Sequence, residues 1–260
     1  MHPVTKTVLE RVALGLATLF VVSIIIFSAI EMLPGDFGQA ILGQAATEET
    51  VAAFRRELGL DQPSYLRYLQ WVSGAIQGDL GTSFSGRASS IDRSRAVVDL
   101  IAPRLWNTLF LAGMTAVIAV PIALALGITT ALYRNSFYDR SVNTATLTTI
   151  SFPEFFVAYI LILILASLYP IFPSLANVDG STPMGERIFR TALPALTLTL
   201  VIVAHMMRMT RAAIINLLAS PYIQMARLSG ASQTEVIVKH ALPNAWAPIA
   251  TVIAFNLAYL

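Results

Sequence analysis

The sequence predicts an all-α polytopic membrane protein, and three observations carry that expectation. Hydrophobic residues make up 56% of the chain and charged ones only 12%, with a mean hydropathy of +0.69, a balance that a soluble single domain could hardly keep in solution. Apolar runs recur at 12–33, 105–132, 141–168, 191–207 and 246–260, most at or near the roughly 20 residues that a helix needs to cross a bilayer. Between them lie segments too rich in Gly, Pro and charge for hydrocarbon. Cysteine is absent, which removes disulfide frameworks and thiol-based metal sites. The net charge of +2 says little about partners, and no nucleic-acid partner is expected.

Taken in order, residues 1–33 form a cytoplasmic N-terminus and a first span. Lys6 and Arg11 precede an apolar run longer than the core of a signal peptide, without an A-x-A cleavage site. Residues 34–104 mix charges of both signs with Gly, Ser and Pro and form a water-facing insert. Within it Thr47 is placed to cap a helix running through Leu58 and closed by Gly59. Pro63 is placed to open a second helix with Tyr65, Leu66, Leu69 and Val72 on its partly apolar side. The simplest expectation is a small helical subdomain packing on itself.

Residues 105–260 hold the transmembrane core. The run 105–132 sets Ala119, Ala123, Gly127 and Ala131 at four-residue steps, a stripe over which another helix backbone can come close. Pro121 inside it is tolerable where neighbours satisfy the freed carbonyl. Residues 133–140 read as a short inside turn with interfacial aromatics and two cations. A third span covers 141–168 and a fourth 191–207, separated by a loop at 169–190. The fifth begins near Trp246. At about 1.5 Å per residue, 246–260 covers about 22 Å of a roughly 30 Å hydrocarbon core, so the expectation is a truncated chain whose last span continues.

If the spans alternate, Lys6, Arg11, Arg134, Arg140, Arg208, Arg211, Arg227 and Lys239 fall on one side, against Arg187 and Arg190 on the other. That bias puts the N-terminus and residues 208–245 in the cytoplasm and the insert outside. A cysteine at Ser85 should then be reachable from outside and one at Ser232 should not.

Residues 220–244 have the most specific local pattern. Ser220 before Pro221 reads as an N-cap and a first-turn proline, and the short helix they start should end at Ser229 and Gly230. Ser232 with Glu235 reads as a capping box. Val236, Ile237, Ala241 and Leu242 follow at helical spacing until Pro243 stops a second helix. A helix, a glycine hinge and a helix suit a docking element, and on periodicity alone they suit equally an amphipathic connector lying on the membrane surface.

Ala226, Gly230 and the run His240-Ala241-Leu242-Pro243-Asn244 resemble the cytoplasmic loop of ABC-importer permeases. The pattern of that loop is Glu-Ala-Ala, three residues, Gly, nine residues, Ile, any residue, Leu-Pro. The chain departs from it at Gln224, Met225 and His240, and its His-Ala-Leu form is that of the dipeptide, oligopeptide and nickel branch. In the insert, Leu33-Pro34-Gly35-Asp36, then Leu58-Gly59-Leu60-Asp61-Gln62-Pro63, then Gly78-Asp79-Leu80-Gly81-Thr82-Ser83 resemble the extracytoplasmic insert of peptide-importer permeases.

The resemblance covers essentially the whole chain and implies a type I importer-like permease of the inner (cytoplasmic) membrane, surrounded by lipid. It implies that residues 208–245 form coupling helices seated in a groove of an ATPase subunit, with Tyr222, Gln224, Ala226, Arg227, Gly230, Ala231, Glu235, His240, Leu242 and Pro243 as the coupling positions. It further implies a second homologous permease subunit, two ATP-binding subunits and an extracytoplasmic substrate-binding protein. ATP and Mg would sit on the ATPase subunits, with no cofactor and no catalytic residue in this chain. The cargo would be a dipeptide, an oligopeptide, a nickel chelate or another small solute.

Glu154, after Pro153, falls near the middle of the third span, where a charge is costly unless it faces protein or water. It reads either as a protonated or paired structural carboxyl or as a lining of the translocation path, with Pro153 beside it. His205 reads as a hydrogen-bonded packing histidine, because no second His stands at metal-site spacing. No G-x-x-x-x-G-K-[ST] or G-x-S-x-G occurs, so neither a phosphate cradle nor a nucleophile elbow is present. Three readings remain: the permease; an intramembrane serine protease recruiting Ser151, His205 and Glu154, which requires a Ser–His contact; and an ion-driven transporter or channel coupled at Glu154, which requires transport without an ATPase. The ordered motifs favour the permease.

Overall fold

The computed structural model describes residues 3–33, 35, 39, 43, 46–57, 59–83, 95–232 and 235–260. Among them the helices run α1 (Pro3–Glu31), α2 (Glu48–Glu57), α3 (Ser64–Ile76), α4 (Val97–Leu132), α5 (Phe137–Ser151), α6 (Glu154–Ile162), α7 (Met184–Leu218), α8 (Pro221–Leu228) and α9 (Leu242–Tyr259). A π-helical turn, Leu163–Leu168, follows α6, and another, Val236–Ala241, precedes α9. No strand occurs among the described residues, only an isolated antiparallel bridge between Thr82 and Ala96. Pro34, Asp36, Leu58 and Ser85, which enter the sequence expectations, lie outside the described residues. The chain forms two compact units, Met1–Ala102 and Pro103–Leu260.

In the first unit, α1 is apolar on all sides and none of its spanning stretch is buried by the protein, the pattern of a helix whose solvent is lipid. α2 starts after Thr47, whose hydroxyl accepts the Thr50 N–H at 3.2 Å. Pro63 immediately precedes α3 rather than lying in its first turn. The expected apolar side of α3 is not the one that packs: Tyr65, Leu66 and Leu69 are exposed and Tyr68 is buried. The Tyr68 hydroxyl lies 2.7 Å from Ser23 Oγ, and its ring centroid lies 5.3 Å from that of Phe27. Arg67 and Ser64 both donate to the Glu31 carboxylate. The insert helix therefore fastens to the first span instead of packing only on itself. A tyrosine suits that contact because its ring buries area while its hydroxyl finds a partner on a polar position of α1.

The second unit is built around α7. α4 and α9 bring Ala119, Ala123 and Val252 against Ile202, Met206 and Met207 of α7, with Val142 of α5 beside them. A neighbouring cluster joins Ala131, Ile214, Ala245 and Ile249. The small-residue stripe of α4 is buried, as its spacing predicts. A Cβ on Gly127 would stand 2.7 Å from Thr210 Cβ and 2.9 Å from the Met207 carbonyl, so the two backbones approach as closely as a missing side chain permits.

Several expected boundaries move. α4 starts at Val97 rather than near 105 and contains both Pro103 and Pro121. α7 extends the fourth span at both ends, which places Arg187 and Arg190 inside the helix rather than in a loop. Arg187 is buried there, donating to Asn107 Oδ1 at 2.7 Å and to the Asp179 carbonyl, with its guanidinium over the Phe110 ring. The third span is broken: α5 and α6 meet at 98° across Phe152 and Pro153. Proline cannot donate to the preceding turn and drives the residue before it out of the helical region, and Phe152 is accordingly extended at φ −94° and ψ 140°. By length and composition α1, α4 and α7 can each cross a membrane, and the bent pair of α5 and α6 makes a fourth span if it is one crossing. α9, where the fifth span was expected, falls short among these, diluted by Pro243, Asn244, Pro248 and Asn256.

Candidate functional site

The 208–245 segment begins on the last turns of α7 and leaves it at Ala219. α8 starts at Pro221 as expected, but the Ser220 hydroxyl does not cap it: it donates back to the Leu217 carbonyl at the end of α7. The fixed φ of Pro221 therefore starts the helix without a side-chain cap. At the other end Gly230 adopts φ +85°, its N–H donates to the Arg227 carbonyl at 3.1 Å, and the Ala231 N–H donates to the Ala226 carbonyl at 3.2 Å. These paired bonds over a left-handed residue form a Schellman closure.

Ser232 then accepts the Glu235 N–H at 3.2 Å, which is half of the expected capping box. The main partner of the Glu235 carboxylate is Lys239 at 2.6 Å, and the reciprocal contact from the Ser232 N–H is the lesser one. The hydrogen bond and charge of Lys239 hold that carboxyl below the ordinary glutamate range. The second short helix also differs from expectation: it takes a π turn over Val236–Ala241 and runs into α9 through Pro243 instead of stopping there. With proline at the second position of α9, where an N–H would be only partly used, no break is required.

Packing divides this loop into two sides. Ile223, Val236 and Ala241 are fully buried, with Leu217, Leu218, Ala226 and Ala231 around them. The side chains of Ile237 and Leu242 lie outside the described set. Tyr222 reaches the His240 carbonyl at 3.4 Å, which Asn244 Nδ2 also approaches at 2.8 Å, tying α8 to the start of α9. The other side is open: Tyr222, Met225 and Leu228 are exposed, Leu228 at 82%, together with Gln224, Arg227, Gly230 and Pro243.

Glu154 is not in the middle of a span but is the first residue of α6, after the break at Pro153. It lines a groove of about 660 Å³ with Leu111, Phe155, Ala158, Leu175 and Leu198, in which it is the only ionisable side chain among the lining residues. No ion pair or hydrogen bond holds its carboxylate among the described residues. A second groove of about 520 Å³ lies farther along α7, lined by His205, Arg208 and Arg211 with Asn143 and Leu147 of α5. His205 is exposed there and makes no hydrogen bond among the described residues, contrary to the packing role expected of it. Ser151 donates to the Leu147 carbonyl at 2.8 Å, and no bond joins it to His205, so the contact required for a serine protease is not made.

One polar centre has no signature in the sequence. Asp139, buried in the first turn of α5, receives Arg211 Nε and Nη2 at 2.8 Å each, the Asn143 amide at 2.6 Å and the Asn135 N–H at 2.9 Å. The forked guanidinium joins the first turn of α5 to the part of α7 that begins the 208–245 segment. Because the partners are 72 residues apart in sequence, no local spacing announces the pair.

This architecture has known counterparts. Residues 4–112 match the family described as "Binding-prot-dependent transport system membrane comp, N-term", and residues 123–260 match "Binding-protein-dependent transport system inner membrane component". The glutathione transport system permease protein GsiC of Escherichia coli K12 is 36% identical over 253 residues, which cover 97% of this chain and 78% of that protein. GsiC of Shigella dysenteriae is 36% identical and that of Shigella boydii 35%, over the same shares. Matches that cover nearly the whole chain, on an all-helical membrane core carrying the 208–245 loop, place it in the family of binding-protein-dependent transport system inner membrane components, the permease subunits of ABC importers.

Proposed function

We propose that this permease forms half of a path for small peptides and related solutes, and that its 208–245 loop transmits ATPase motion to that path. The observation that carries this reading is the two-sided loop. Its apolar residues Ile223, Val236 and Ala241 are already buried against one another and against Leu217 and Leu218 at the end of α7, so the exposed Tyr222, Met225 and Leu228 are left for a partner. A connector lying in lipid would instead turn its main apolar face outward. The other half of the path is a second homologous permease subunit. Two ATP-binding subunits supply the energy and hold ATP and Mg, an extracytoplasmic binding protein delivers cargo, and this chain neither binds a cofactor nor catalyses a reaction. The N-terminus and the loop face the cytoplasm, the insert faces outward, and Glu154 with Pro153 lines the path. Similarity to glutathione permeases supports a cargo of that size and polarity.

The test uses the chain's lack of cysteine. In the assembled importer, Leu228→Cys should form a short-reach cross-link to an ATPase subunit, while Gln77→Cys, just past the end of α3, should react with an impermeant thiol reagent added outside. A cross-link at Gln77 and outside labelling at Leu228 would reverse the orientation and remove the coupling role.

A further inference from the structure

Pro194, Leu198, Val201, His205, Arg208 and Ala212 follow one another at three- and four-residue steps and so share one side of α7. The first three are half-buried and the last three exposed, whereas Ala195, Ile202, Ala204, Met206 and Thr210 around them are buried. These six positions therefore keep one side of α7 partly or fully open from Pro194 to Ala212. Both grooves open onto it: the Glu154 groove at Pro194 and Leu198, the second at His205, Arg208 and Ala212. Their charges are opposite. In the second groove Arg211 is already occupied by Asp139, while Arg208 and His205 have no ion pair or hydrogen bond among the described residues.

We infer that Arg208 and His205 form a carboxylate-binding station on the path, in series with the Glu154 groove, for a small solute carrying both an ammonium and a carboxylate group. This rests on the reading of the chain as a permease whose open α7 stripe faces the path. A guanidinium and an imidazole one turn apart offer several N–H donors to a carboxylate, and a lone carboxylate in an apolar groove favours an ammonium. Along α7 the two stations are about 15 Å apart, from Leu198 to Arg208 at about 1.5 Å per residue. An extended tripeptide spans about 10 Å, so such a cargo meets the stations in turn rather than bridging them. Successive weak sites of opposite preference let a zwitterion enter a membrane path without being trapped at either one. The other anion that could meet Arg208 is a lipid phosphate.

The test is ATP-driven uptake of radiolabelled glutathione into proteoliposomes holding the complete importer, in neutral phosphatidylcholine and in phosphatidylcholine containing phosphatidylglycerol. Arg208→Gln should lower the maximal uptake rate about tenfold in both lipids. The half-saturating concentration, set by the binding protein, should not change, and Arg208→Lys should recover most of the rate. The ATPase subunits should still copurify with each variant. Equal uptake by Arg208→Gln and the parent, an equal loss in Arg208→Lys, or a loss seen only with phosphatidylglycerol would overturn the inference, the last by assigning Arg208 to a lipid headgroup. A parent importer that takes up no glutathione with ATP and binding protein present would instead overturn the glutathione-like cargo of the proposed function, on which the inference rests.

Discussion

Arg208 and Arg211 stand one turn apart on α7, yet one is closed into the protein and the other is left open. Arg211 directs its guanidinium to a buried carboxylate that the Asn143 amide and the Asn135 N–H also approach, and Arg208 faces a groove with no ion pair or hydrogen bond among the described residues. The same division runs through the rest of the second unit. Ala119, Ala123 and Gly127 hold α4 tightly against one side of α7, while Leu198 and Val201 stay half-buried and His205 exposed beside the grooves that α6 and α5 leave open. In a membrane protein this difference separates groups that build the scaffold from groups left for something that passes or docks, because an unpaired charge in hydrocarbon has no other compensation.

The largest way to break that contrast is at the closed seam. Gly127→Leu has no space beside Thr210 and the Met207 carbonyl, and it should abolish recovery of folded protein from the membrane, measured by monodisperse elution in detergent. Next is the buried pair: Arg211→Ala strands Asp139 and should destabilise the second unit by about 3 kcal/mol in reversible denaturation. Arg208→Ala, three residues earlier, should shift the same midpoint by no more than about 0.5 kcal/mol. Equal losses would erase the distinction between the two arginines.

A smaller effect is expected in the loop. Gly230→Val forces a branched residue to φ +85° at a cost of about 1–2 kcal/mol, which should leave the membrane core folded while uptake is lost and ATP hydrolysis continues. Normal uptake by that variant would remove the hinge from the mechanism. The smallest effect is at Glu154, whose replacement by Gln should leave stability unchanged and reduce uptake of a cationic peptide more than that of a neutral one. Equal uptake of both by variant and parent would leave Glu154 with no part in the path.

Much of this was legible in the sequence where the cause was local. Gly230 announces a left-handed helix end by its position, and the small-residue stripe on α4 announces a close packing face by its period. The start of α8 was legible at Pro221, but the destination of the Ser220 hydroxyl was not, because the Leu217 carbonyl competes for it only once α7 ends where it does. The break at Pro153 was hidden because a proline in an apolar run is compatible with either a kink or a full turn of the chain, and tertiary packing chooses between them. Tyr68 on Ser23, and Asp139 with Arg211, depend on segments far apart in sequence, and no spacing rule reaches that distance. The open stripe of α7 was missed for a related reason. By sequence His205 reads as a packing histidine and Arg208 as a loop cation, and their exposure depends on which sides of the helix its neighbours cover.

The most direct measurement is thiol accessibility along α7 in the assembled importer, again starting from a chain without cysteine. Single cysteines at Leu198, Val201, His205 and Ala212 should react with a small water-soluble thiol reagent and be slowed by cargo. Cysteines at Ala195, Ile202 and Met206 should stay unreactive. Reaction without regard to side, or an open stripe that reacts only with lipid-soluble reagents, would contradict a water-filled path along this face of the helix.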